Sequence, residues 1–167
     1  MQTKFDFAAL GEALRADTQA FIDTYAVHHP EDGPLLAFCL YFDSQGAATG
    51  MLLPKRATTA KKPRVTIDDV ASWFQYGDHV EGQFSTITTR LFDEYEDWSR
   101  QDWPDGAYAT VVEPQFKQMV TWVTQHLNFD KLPKTDDFIF FAEGMDEEYD
   151  EWQDTIPPAL LKKHFDL

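Results

Sequence analysis

Leu10, Leu14, Phe21 and Tyr25 recur at helical intervals, and Ala13 and Ile22 widen the stripe, which predicts an amphipathic helix over 6–27. Thr3 and Asp6 have the spacing of a capping pair at its start, and Pro30 closes it after His28-His29. Glu31-Asp32-Gly33-Pro34 is a turn. The pattern then changes. Every position from Leu35 to Phe42 is apolar, on both alternating faces, as in a strand covered on both sides. Asp43-Ser44-Gln45-Gly46 turns the chain, and Ala47 to Leu53 returns as a second strand that completes a hairpin. Gly50 weakens that strand and Pro54 ends it.

Lys55 to Pro63 shows no period and reads as irregular. Thr66 and Asp69 repeat the capping spacing before a short helical piece, Val70 to Tyr76, which Gly77 breaks. Val80, Phe84, Ile87, Leu91, Tyr95 and Trp98 step by three or four and predict one long helix, 80–99. Trp103-Pro104-Asp105-Gly106 is a turn. Pro114 suits the first position of a helix over 114–127, whose face is Phe116, Val120, Val123 and Leu127. A buried strand spans 137–142, and Pro157-Pro158 starts a last short helix, Ala159 to Phe165. The expected fold is a single α+β domain over 1–167. Its small, mainly antiparallel sheet (35–42, 47–53, 137–142) packs against three or four helices.

A chain of 167 residues can bury about 70% of its unfolded surface, so a sizeable core needs no staples. Fourteen Phe, six Tyr and five Trp make that core rich in rings. Cys39 stands alone, which rules out an intrachain disulfide and suits a reducing cytosol. No basic segment followed by an apolar one opens the chain, and Asp6, Glu12 and Asp17 argue against a mitochondrial presequence. The expected setting is cytoplasmic, with no membrane span.

Charge changes the picture most. Twenty-nine acids against fourteen bases give a formal charge of −15, and five of the bases lie between Lys55 and Arg64. Such a charge disfavours nucleic acid and anionic membranes and admits a basic protein partner or a cation. The acids gather in two segments. Asp93-Glu94-Tyr95-Glu96-Asp97 closes the predicted long helix, against the macrodipole and with Asp93 and Asp97 a like-charged i,i+4 pair. Glu143 to Asp154 follows the last strand and carries Asp146, Glu147, Glu148, Tyr149 and Trp152, acids interleaved with aromatics of the kind that anchor interfaces. Solvated charge and rings tucked back on the core are the plainer alternatives. The basic stretch serves as a counter-charge or a mobile loop.

No catalytic or cofactor motif is present. Asp93-x-Tyr95-x-Asp97 opens like a calcium loop, but Trp98 stands where glycine is needed and Pro104 where glutamate closes the site. His28-His29 lacks a third metal ligand, and Cys39 lies in the most apolar strand, so neither indicates a metal or a nucleophile. Catalytic residues, metals and cofactors are therefore none.

Three blocks in order carry a resemblance. They are Leu36 to Asp43, then Asp69-Val70-Ala71-Ser72-Trp73 leading through Gly77 and Glu81 into the long helix, then Phe138-Ile139-Phe140-Phe141 leading through the acidic loop to Pro157. From about Phe21 to Lys163 the chain resembles an uncharacterised bacterial family, the domain of unknown function 4303. The resemblance implies an α+β fold in a bacterial cytoplasmic protein and no established activity. The expected function is a non-enzymatic protein-binding module, immunity-like in style. The alternative is a carboxylate- or cation-dependent enzyme built near the end of strand 138–142 on groups such as Glu143 and Asp146. A structural adaptor whose homo-oligomer covers the acids is a third reading.

Overall fold

The computed structural model describes residues 4–62, 64–74, 79–146, 148–149 and 155–165. Helix α1 (Phe7–His28) starts at Asp6, whose carboxylate accepts the Ala9 amide at 3.0 Å, so Asp6 is itself the cap. Thr3 lies outside the described residues. Strands β1 (Leu35–Asp43) and β2 (Ala47–Pro54) form the expected hairpin, with Leu40 opposite Gly50. Gly50 is there for space: a Cβ on it would stand 2.8 Å from Val80 and 3.0 Å from Phe38. The chain then crosses through α2 (Lys55–Thr59), α3 (Val70–Trp73), α4 (Thr86–Ser99) and α5 (Glu113–Gln125) before β3 (Lys134–Gly144) and α6 (Pro158–Phe165).

The sheet order is β2-β1-β3, and β3 joins β1 in parallel. The α+β class is as expected, but the sheet is mixed rather than mainly antiparallel. A hairpin needs only a tight turn, whereas β3 returns after a long helical crossover, the connection a parallel pair requires. The central position of β1 explains its unbroken apolar run. Phe38, Leu40 and Phe42 face one side with α1, α4 and α5. Ala37 and Cys39 face the other with Trp73, Phe141 and Ile156, and with α6 beyond them.

Three further expectations change. The predicted helix 80–99 is two pieces, a 3-10 turn at Val80–Gln83 and α4 beginning after Ser85. Ser85 Oγ accepts the Thr88 amide and its own amide donates to Asp17 at 2.8 Å, so the serine ends one piece and caps the next. Ile87, assigned to the apolar stripe, is consequently exposed. Helical structure before α5 begins ahead of Pro114, as a π-helical segment at Tyr108–Val112 in which the Glu113 amide reaches Tyr108. Proline next in line has no amide to offer, and the wider turn absorbs that loss. Lys55–Thr59 is helical where irregular chain was expected.

Helix α6 buries none of its residues fully. It rests on the Phe165–Phe141 ring contact (5.7 Å) and on Asp137, which accepts Lys163 Nζ at 2.7 Å while its carbonyl meets His164 Nε2 at 3.0 Å. The hydrogen bond from Lys163 is the largest influence that holds the Asp137 carboxyl down at about 2, below its ordinary 3.8. A depressed carboxyl contributes stability above its unfolded value and loses it as pH falls through the folded one. The α6 attachment is therefore expected to weaken from about pH 4 to about pH 2. Side-chain NMR shifts of Phe165 followed through that window should move, and Asp137→Asn should abolish the movement. Shifts that stay flat in the native chain would contradict this anchor.

Candidate functional site

Helix α4 turns Leu91, Phe92, Tyr95 and Trp98 into the core and leaves Asp93, Glu94 and Asp97 exposed, with Glu96 half-buried. Arg100 pairs with Glu96, and Arg90 lies 3.7 Å from Glu94. Exposed pairs of this kind add little stability. The 93–97 segment is regular helix, so it forms no calcium loop.

Tyr95 fastens this helix to the β1–β2 turn by donating its hydroxyl to the Ser44 carbonyl. The turn reaches α4 at Gly46, where φ is +134° and a Cβ would sit 3.6 Å from the Tyr95 ring. Two hollows flank the turn. One, of about 420 Å³, brings together Asp43, Glu96, Arg100 and Tyr108. The other, of about 300 Å³, brings Glu81, Asp93 and Glu96 beside Phe84 and Phe92.

The second acidic segment arrives at the same end of the sheet. Gly144 stands opposite Phe42, and the Met145 amide donates to the Phe42 carbonyl at 2.6 Å. Asp146 is exposed with φ +52°, a left-handed conformation that aspartate tolerates. Glu148 is exposed, and its carbonyl accepts Lys117 Nζ at 2.7 Å. Tyr149 corrects the expectation of a surface anchor. It is 7% exposed, edge-on to Phe42 at 5.1 Å, and shares a 2.6 Å hydrogen bond with the Thr121 hydroxyl. Its ring is amphipathic, and the core takes it. Glu147 and Trp152 lie outside the described residues. Rings join the two segments through the interior, from Tyr149 to Phe42, then Phe116 (6.0 Å), then Tyr95 (5.0 Å).

On the other sheet face, at the same end, Tyr41 on β1 stands opposite Glu143 on β3. Burial, then the nearby Asp69 carboxylate, pushes the Glu143 carboxyl up. Burial also raises the Tyr41 hydroxyl, with Glu143 and Asp146 adding to it. The Cys39 thiol, fully buried, is pushed well up by burial and by Glu143, which makes it an inert structural thiol. Among the described residues, no group of three His, Cys, Asp or Glu side chains could hold a metal ion.

A group of bases occupies the opposite end. Lys55 follows β2, Lys134 opens β3, and Lys163 comes from α6, and the three line one hollow with Asp136 and Asp137. Arg56 pairs with Asp32, which is 6% exposed and also accepts the Tyr25 hydroxyl at 2.6 Å. The sequence places Asp32 only in a turn, and its spacing from Tyr25 is the available signal. Within the basic stretch, Arg56 is thus a counter-charge to this buried carboxylate rather than to the acidic segments. The His29 ring lies tilted against Tyr25 at 4.5 Å, and its Nδ1 lies 3.7 Å from Glu31.

No family model matches the chain, and no curated protein or solved structure matches it. Among the described residues, no helix is long and apolar enough to cross a membrane.

Proposed function

We propose that this protein is a non-enzymatic binding module, immunity-like in style and cytoplasmic, that docks a basic protein partner against the acidic end of its sheet. One observation carries the reading. Asp43, Glu81, Asp93, Glu96, Asp146 and Glu148 outnumber Arg100 and Lys117 around the β1–β2 turn and the end of β3, while Lys55, Arg56, Lys134 and Lys163 lie at the far end among Asp32, Asp136 and Asp137. A molecule polarised in this way orients an approaching cationic surface before contact, and its association rate falls with salt. The family resemblance implies no activity, so the charge arrangement stands alone. Pull-down from the native host should recover a basic protein, and Asp93→Lys with Glu148→Lys should reduce its capture about tenfold or more. Capture unchanged by those reversals, or indifferent to salt, would sink the proposal.

A second reading has its own observation, the raised pKa of half-buried Glu143 beside Tyr41 at the carboxyl ends of the parallel pair. Ligands of open α/β sheets favour that position, and a carboxyl with raised pKa suits general acid–base work. Glu143→Gln should raise stability at neutral pH, because burial there disfavours the charged form. It should also abolish any turnover found in a hydrolase-substrate panel. Turnover that survives the substitution would remove Glu143 from the chemistry.

A further inference from the structure

The hollow between the β1–β2 turn and α4 combines two features that separate elements supply. Part of it is apolar: Phe84 lies nearly parallel to Phe92, with centroids 5.5 Å apart and 13° between the planes, and Ala47 and Ala48 of β2 adjoin them. Part of it is acidic, with Glu81 from the 3-10 turn and Asp93 and Glu96 from α4, and no base lines it. Glu96 is paired with Arg100, whereas Glu81 and Asp93 have no ion pair among the described residues. Hydrogen bonds set these parts before anything arrives. The Glu81 amide donates to Thr49 Oγ1 at 3.0 Å, which ties the 3-10 turn to β2. The Ser85 amide donates to Asp17 at 2.8 Å, which fixes the chain beside Phe84. At about 300 Å³ the hollow is at the small end of ligand pockets and suits one long side chain.

We propose that this hollow receives an arginine side chain of the basic protein partner, an anchor that rests on docking at the acidic end. Charge complementarity selects a cation, because a cleft lined by carboxylates alone concentrates positive charge and two of the three have nothing else to pair with. The rings and alanines select what carries it. Among the described residues no three carboxylates converge to hold a metal ion, and a hydrated ion gains nothing from apolar walls. Lysine offers a long stem but a compact, strongly hydrated charge. Arginine matches both parts. Its guanidinium is planar and weakly hydrated, pairs with carboxylates through two N–H groups and lies well against an aromatic ring, while its methylenes cover apolar surface. Arginine is also enriched at protein interfaces where lysine is depleted.

Nα-acetyl-arginine amide titrated into the full chain is expected to give saturable NMR shifts at Ala47, Ala48, Phe84 and Phe92. The citrulline analogue has nearly the same shape without the charge, and should bind about tenfold more weakly or worse. Glu81→Gln with Asp93→Asn, both exposed, should weaken the arginine probe by about tenfold without touching the core. Phe84→Leu should erase the preference for arginine over Nα-acetyl-lysine amide. Equal binding of the citrulline analogue, or of the lysine amide to the native chain, overturns the proposal. So do shifts spread over the whole acidic surface, or binding that survives the double substitution. The two readings fail separately. A basic protein captured through Asp93 and Glu148 while the arginine probe leaves the hollow untouched ends the arginine site and keeps the docking. Saturable arginine binding in the hollow, with no protein captured through the acidic end, keeps the site and ends the docking.

Discussion

Phe42→Ala is expected to lower folding stability by about 3–5 kcal/mol, measured by denaturant unfolding. Phe42 has no exposed surface, and its ring lies edge-on to Tyr149 and tilted against Phe116. Its removal leaves a void where α5, β1 and the segment after β3 meet, and rings on three elements cannot all collapse into it. The relaxed cavity should also release Tyr149, whose hydroxyl is held by Thr121. Near-UV circular dichroism should therefore fall even where the variant remains folded. A loss under about 1 kcal/mol would mean that the two acidic segments are not joined through this core.

Trp73→Ala is expected to cost a similar amount, about 3–5 kcal/mol, from the opposite face of the sheet. Trp73 is buried, meets Phe141 edge-on at 6.1 Å, and donates Nε1–H to the Thr66 carbonyl at 2.8 Å. Truncation removes the ring and leaves that carbonyl short of its donor. The two substitutions share no contact, since β1 and β3 stand between them, so their costs should add to within about 0.5 kcal/mol in the double variant. A large departure from additivity would show that the faces are coupled through the sheet.

Much of this arrangement is written locally. The run from Leu35 to Phe42 announces a strand covered on two sides because β1 is central and both its faces are buried. The stripes of α1 and α5 are legible for the same reason: each helix turns one face to the sheet. The parallel direction of β3 is not legible, because alternation along a strand is the same whichever way its neighbour runs. The break before α4 carried a signal in Ser85, a good cap three residues ahead of Thr88, but the stepping of Val80, Phe84 and Ile87 imitates a continuous stripe. In the candidate site, local sequence marks the outward-facing acids of α4. It could not separate Tyr149 from an interface aromatic, because its burial depends on Phe42 and Thr121, which are remote in the chain. The position of Glu143 at the end of the last strand marks it in the sequence together with Asp146, but its burial and the nearness of Asp69 and Tyr41 depend on the fold.

The parallel pairing of β3 with β1 also bears on how the chain matures. Phe38 finds Leu52 across a short turn but finds Phe140 only after the whole helical crossover. Contacts so distant along the chain close slowly. As the protein emerges from the ribosome, the hairpin can form early, yet one edge of its most apolar strand stays open until β3 has been made. An open apolar edge is a template for pairing with other chains. Yield in cells should therefore depend on what shields that edge during synthesis, and the heavy negative charge of the chain, by keeping nascent copies apart, is suited to that interval.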